Sequence, residues 1–174
     1  LLSTLGQLIA ALQRDAQRQQ AQREAQRQQE ALRTLNDIAA LANRHPQEQL
    51  RQALQLASQF YQLPIAVISR VHLDDFEVLC HLAPGENIAD GTHLPLEQTY
   101  CHLALSSDDV LTIAHMAHSA HAAHPCYQRF GYQSYIGTLI RINGQRYGAI
   151  ALASREPRQQ GFDQAEREFI RLLS

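Results

Sequence analysis

Apolar residues in the first quarter of the chain fall at helical spacing. Leu5, Ile9, Leu12 and Ala16 follow a 4-3-4 step, and Leu32, Leu35, Ala39 and Ala42 follow 3-4-3. Residues 1–44 contain one Gly and no Pro among many Ala, Leu, Gln, Arg and Glu, the side chains that lose least on entering a helix. The pattern predicts one long N-terminal helix. Its two apolar stripes are out of phase, and Gln13–Glu30 offers only Ala16, Ala21 and Ala25 among long polar side chains. A coiled-coil seam there is weakly packed and tolerant of register, which suits a signalling rod better than a scaffold. The same polarity also suits a solvated Gln-rich linker.

His45-Pro46 closes that helix, because the residue before Pro is pushed out of the helical region and Pro46 fits the first turn of a new helix. Leu50, Ala53, Leu54, Ala57 and Phe60 give the second helix its apolar face, which ends before Pro64. The periodicity then changes. Pro64–His72 and Phe76–Leu82 read as strands joined by an Asp74-Asp75 turn, with a short third strand at His93–Leu96. Glu97–Ser106 reads as a short helix, Val110–Ala114 as a strand, and Ala117–Phe130 as a helix or loop interrupted by Pro125. Ser134–Ile142 and Gln145–Ser154 are strands joined by Asn143-Gly144, whose tolerance of positive φ suits a two-residue hairpin. Asp163 caps a last helix, with Glu166 three residues on completing a capping box and Phe169, Ile170, Leu172 and Leu173 as its apolar face. The elements sum to an α+β domain over residues 45–174, an antiparallel five- or six-stranded sheet flanked by helices, preceded by the helix of residues 1–44.

Composition narrows the setting. The 174 residues suffice for one domain and an appendage, and 45% apolar against 18% charged residues excludes wholesale disorder. All 15 basic residues are Arg and the formal charge is -2, so the basic footprint of a nucleic-acid binder is missing. Cys80, Cys101 and Cys126 lack CxxC spacing, which points to a reduced cytoplasmic compartment and away from a disulfide framework. The most apolar stretch, Leu1–Leu12, is too short to span a bilayer. The Leu-Leu start without an initiator Met reads as a piece of a longer polypeptide, and leaves open a parent anchored in the inner membrane by a segment upstream.

Tyr135-Ile136-Gly137-Thr138-Leu139-Ile140, Asn143-Gly144-Gln145-Arg146-Tyr147-Gly148 and Phe162-Asp163-Gln164-Ala165-Glu166, in this order of elements, resemble a GAF sensory domain over about residues 32–174. Gly137 and Gly148 permit close backbone approach beside the pocket, and Asn143-Gly144 turns the hairpin of its floor. The run His124-Pro125-Cys126-Tyr127-Gln128-Arg129-Phe130-Gly131 resembles the subgroup found upstream of bacterial histidine kinases and diguanylate cyclases. Leu139 stands where many relatives carry Pro, and the asparagine motif of cyclic-nucleotide-binding GAF domains is not recognisable. The resemblance implies a sensor of a small ligand or redox signal, homodimeric through its N- and C-terminal helices, that biases an output domain beyond Ser174. It identifies neither the ligand nor a cofactor.

His115, His118, His121 and His124 recur every three residues with Cys126 just beyond, a donor set of the type transition metals take. In a continuous helix each three-residue step falls about 60° short of a turn. Only adjacent pairs then converge, and no metal site is expected. Cys101-His102 invites comparison with the Cys-His pair that binds a linear tetrapyrrole in phytochrome-like relatives, although its placement differs. Cys126, with His124 two residues before it, resembles the reactive thiol of the GAF-fold free-methionine sulfoxide reductases, but Tyr127 replaces the acidic neighbour expected there. No catalytic residue is assigned. The candidate ligand pocket is Tyr100, Cys101, His115, His124, Cys126, Tyr127 and Tyr135, a mixture that suits a small polar guest. Alternation on the strand puts Tyr135 and Gly137 on the pocket face, and Ile136, Thr138 and Ile140 on the helical one.

Overall fold

A computed structural model describes residues 4–41, 45–107 and 109–174. Its elements are α1 (Thr4–Ala39), α2 (Pro46–Tyr61), β1 (Ile65–His72), β2 (Asp75–Leu82), β3 (His93–Pro95), α3 (Tyr100–Leu105), β4 (Leu111–Ile113), α4 (Pro125–Phe130), β5 (Ser134–Ile142), β6 (Gln145–Ser154) and α5 (Gln164–Leu173). The six strands form one sheet in the order β3-β2-β1-β6-β5-β4, and every neighbouring pair is antiparallel.

The linker alternative gives way to an uninterrupted α1 of 36 residues, about 54 Å long at 1.5 Å per residue. Its last third belongs to the domain: Ala31 is buried, and Leu35 and Ile38 pack on the core with α2 and α5. Residues 42–44, leading to the corner expected near residue 45, lie outside the described residues, while His45 precedes an α2 that has Pro46 in its first turn. The capping box of α5 forms as read, Asp163 accepting from the Glu166 N–H and Glu166 from the Asp163 N–H, each at 2.8 Å.

Three local readings shift. The first hairpin turns at Leu73-Asp74 instead of Asp74-Asp75, because Asp75 already pairs with His72 in the ladder, and Leu73 adopts φ +53°. Glu97–Ser106 divides into a 3₁₀ turn at Leu96–Gln98 and α3, with the Thr99 side chain capping α3 on the His102 N–H. Ala117–Phe130 holds a 3₁₀ turn at Met116–His118 and the short α4, where Pro125 starts the helix and does not interrupt one.

Side-chain alternation divides the core between the two faces of the sheet. Ile68, Ile136, Ile150 and Leu152 meet α1, α2 and α5, packing with Phe60 and Phe169. Ile65, Val78, Tyr135, Ala151 and Ala153 face α3, α4 and the loops. The central pairing of β1 with β6 brings Ser69 and Arg70 against Ala149 and Gly148, beside a bulge at Ile68/Ser69 in the β1–β2 ladder. A Cβ on Gly148 would collide with the Ser69 carbonyl, so this crossing requires Gly.

Candidate functional site

The loop-covered face of the sheet holds a cavity of about 60 Å3. Its floor is sheet: Ile65 and Val67 from β1, Phe76 and Val78 from β2, Ala151 and Ala153 from β6, and Tyr135 from β5. Gly137, two residues on and on the same face, leaves room for the Tyr135 ring, which a Cβ there would strike. Thr99, Tyr100 and Cys101 form one wall, Phe130 and Tyr132 another, and Ile88 and Leu94 reach in from around β3.

Aromatic rings hold these walls together. Tyr100 stacks on Tyr135 with centroids 5.3 Å apart and lies 5.6 Å from Tyr132, which stacks on Phe130. The Tyr100 hydroxyl donates to the Tyr132 carbonyl at 2.6 Å, tying α3 to the segment after α4. The Tyr135 hydroxyl donates to Cys101 Sγ at 4.0 Å. Burial raises the pKa of both phenols. At the rim, Arg155 lies 5.5 Å above the Tyr132 ring and grips Glu86 of the β2–β3 loop through two hydrogen bonds of 2.9 Å.

Three of the seven sequence candidates, Tyr100, Cys101 and Tyr135, line this cavity, and four lie outside its lining. Cys126 is buried in the core behind it, and Tyr127 accepts a hydrogen bond from Gln133 Nε2 at 2.6 Å. His115 packs against His118 with ring centroids 3.9 Å apart and the planes tilted by 41°. His124 Nδ1 accepts from the Cys126 N–H at 3.2 Å, which puts its proton on Nε2, and that N–H is donated to His102 Nδ1 at 3.1 Å. The imidazole that His124 meets thus comes from α3, not from its own HxxH run. Among the described residues no group of three metal donors forms.

The lining is apolar, and no charged side chain belongs to it. It departs from the polar pocket read from the sequence because the polar atoms of Tyr100, His124 and Tyr127 are engaged in internal hydrogen bonds. The sequence reading missed Phe130, Tyr132 and Ile88. The signal for the first two was Gly131, whose φ of +68° turns the chain so that its aromatic neighbours fold back over the sheet.

All three cysteines are free and buried. Burial pushes the Cys101 thiol up to about 11 and the Cys126 thiol up to about 12 from the ordinary 9.0, so both are protonated at neutral pH. His124, its own pKa lowered by burial and by His102, offers the Cys126 backbone N–H an imidazole acceptor and gives the thiol no positive charge.

The family model of the GAF domain matches residues 45–174. No curated protein matches the sequence. In three dimensions the chain is similar to the GAF domain of a phosphoenolpyruvate-protein phosphotransferase from Acinetobacter, at 17% identity and TM-score 0.64, over 82% of this chain and 87% of that one. It is similar to the phycocyanobilin-bound GAF domain of a cyanobacterial phytochrome at 13% identity and TM-score 0.66, over 82% and 88%. It is also similar to the free methionine-R-sulfoxide reductase of Neisseria meningitidis, solved with its substrate, at 12% identity and TM-score 0.58, over 78% and 80%. At such identities the likeness is one of fold, and the phytochrome and the reductase differ in what they hold. A six-stranded antiparallel sheet with helices on one face, a loop-covered cavity on the other, and a profile match over three quarters of the sequence all agree: the chain belongs to the GAF domain family.

Proposed function

We propose that this GAF domain is a non-enzymatic regulatory module of a bacterial signal-transduction protein, taking a small guest in its cavity and relaying that event through paired helices. The observation that carries the reading is the asymmetry of α1. Its last third is keyed to α5 and the core, whereas its first turns leave Leu5, Leu8, Ile9 and Leu12 exposed at positions that share one side of the helix. A second copy of the chain supplies an identical stripe, and pairing the two in a parallel dimer buries both. The rod then joins two cavities, and a small shift of α1 against α5 carries the signal onward. The subgroup resemblance makes a histidine kinase or a diguanylate cyclase the output domain.

The state of the thiols supports regulation in preference to catalysis. A reductase of the methionine-sulfoxide type needs a thiolate, and Cys126 is fully buried with its pKa pushed up to about 12. Burial of all three thiols likewise favours a guest over a redox signal, and their unpaired state agrees with a cytoplasmic setting. No helix among the described residues is long and apolar enough to cross a membrane.

Sedimentation of the chain across a range of concentrations tests the relay. The wild type should dimerise and the double variant Leu8→Glu/Leu12→Glu should be monomeric. A wild type that stays monomeric far above cellular concentrations overturns the paired-helix reading.

A further inference from the structure

The two short helices that help to wall the cavity are joined by a pair of imidazoles whose hydrogen bonds admit one protonation state. His102 lies on α3, two positions after Tyr100, and His124 precedes α4, which ends in Phe130. Both residues are half-buried, and their rings meet edge to edge with centroids 5.4 Å apart. The Cys126 N–H is donated to His124 Nδ1 at 3.2 Å, the cap of α4. The proton of His124 therefore sits on Nε2, where His102 Nδ1 accepts it at 3.1 Å. A proton added to His124 must go on Nδ1, which then faces the Cys126 N–H donor to donor. A proton added to His102 must go on its Nδ1, which then faces the Nε2–H of His124 in the same way. Either event removes one link of the chain.

The surroundings do not compensate an added charge. Among the described residues the histidines paired with a carboxylate are His81 and His93, not these two. Burial, His102 and His121 of the turn before α4 all hold the His124 pKa below the ordinary 6.5. Cys101 of α3 and Cys126 of α4 are neutral thiols. Arg129 of α4 donates to Gln98, and Glu97 on the same 3₁₀ turn is exposed. The chain of hydrogen bonds is thus complete above about pH 6.5. Its contribution to stability is lost as pH falls from there through the lowered value, because the unfolded chain takes up the proton first.

We propose that His102 and His124 form a proton-operated latch between α3 and α4, closed while both imidazoles are neutral and released when either is protonated. Release frees two walls of the cavity from one another; its effect on a guest rests on the cavity being the guest site, whereas the latch itself is read without one. At pH 7.5, nitrogen-15 NMR of the wild-type chain should find both rings as the Nε2–H tautomer. Labelling with a pyridyl disulfide, which reacts with thiols even in mild acid, reads the release site by site. Relative to the urea-unfolded chain at each pH, labelling of Cys101 and Cys126 should rise about three- to tenfold between pH 7.5 and pH 5.5, the range of one hydrogen bond. Cys80, buried on the opposite face of the sheet, should not change. His124→Asn keeps a capping acceptor that takes no proton, and its labelling should be independent of pH over that range. An Nδ1–H tautomer of His124, no rise at Cys101 and Cys126, an equal rise at Cys80, or the same rise in His124→Asn overturns the proposal. The tautomers are read on the unaltered chain, so a variant that fails to fold does not remove the test. No guest enters the experiment, so a failure of the latch and a failure of guest binding are told apart.

Discussion

Glu166 is a carboxylate with a fully buried side chain, and replacing it with glutamine tests how α1 is fixed to the domain. Its Oε1 accepts from Arg27 of α1 at 3.0 Å and from Arg158 at 2.9 Å, while Oε2 accepts the Asp163 N–H that closes the capping box. Gln keeps the volume and the capping acceptor but removes the charge that both guanidinium groups face. Breaking a buried pair by removing one partner costs about 3–5 kcal/mol, and each hydrogen bond to a charged group contributes about 1.5–3 kcal/mol. Two features reduce the loss. Arg27 is one-third exposed and keeps Asp163 at 3.5 Å and Glu30 at 3.3 Å, and both arginines keep an aromatic ring, Phe60 and Phe162 respectively. Glu166→Gln should therefore cost about 2–4 kcal/mol, or about 4–16 °C in Tm for a domain of this size.

Urea denaturation of the wild type, Glu166→Gln, Arg27→Ala and the double variant gives the coupling directly. Arg27→Ala alone should cost about 1–2 kcal/mol, since Arg27 is one-third exposed and the buried Glu166 keeps Arg158 as its partner. The double variant should be less destabilised than the sum of the singles, because the Arg27 contribution is already largely lost in Glu166→Gln. Glu166→Gln within about 0.5 kcal/mol of the wild type, or strict additivity, refutes the clamp.

Cys101 and Cys126 should resist Ellman's reagent at pH 8 in the native chain and react fully in urea. Because their folded pKa values lie above the unfolded ones, the stability they contribute is complete below about pH 9 and is lost as pH rises through about 11 and about 12; a denaturation midpoint that climbs over that range contradicts the burial argument. Gly148→Ala should cost more than about 3 kcal/mol, since its methyl meets the Ser69 backbone in the central ladder, while Gly137→Ala should cost about 1–3 kcal/mol because it meets the movable Tyr135 ring. Comparable chemical denaturation of the two variants is the measurement, and equal losses disprove the distinction.

What the sequence made legible was whatever depends on neighbours along the chain. The Asn143-Gly144 hairpin, the Asp163/Glu166 box and the alternation of Tyr135 with Ile136 are local patterns, and each stands in the structure as read. Glu166 as a cap was visible, but its burial against Arg27, 139 positions away, was not, because that contact depends on where α1 docks. The four spaced histidines suggested contacts within their own run. His124 instead meets His102 across two short elements, since α4 begins only after His124 and the preceding residues form no continuous helix. The cavity lies on the face shared by Tyr135 and Gly137, and its lining is less polar than the sequence suggests, because spacing does not reveal which hydroxyl and imidazole groups are consumed by internal hydrogen bonds.

The sheet separating guest site from helices is one residue thick, which gives the proposed relay a short mechanical path. On β5, Tyr135 faces the cavity and the next residue, Ile136, is buried with Phe169 of α5; on β6, Ala151 and Ala153 face the cavity and Leu152 between them lies in the same helical core. On the helical face Ile136 and Leu152 are fully buried, so in the proposed relay little slack on that side takes up a movement of the Tyr135 ring. In the proposed relay the displacement passes to α5 through Ile136 and Leu152, and from α5 to α1 through the apolar contacts of Ala31 and Leu35 and through the Glu166 pairing. A rigid clamp transmits such a shift to the rod, whereas a loosened one lets α1 stay still while the core moves. Glu166→Gln should therefore leave guest affinity close to that of the wild type and uncouple it from the pairing of α1, a separation that a purely stabilising role for the clamp does not produce.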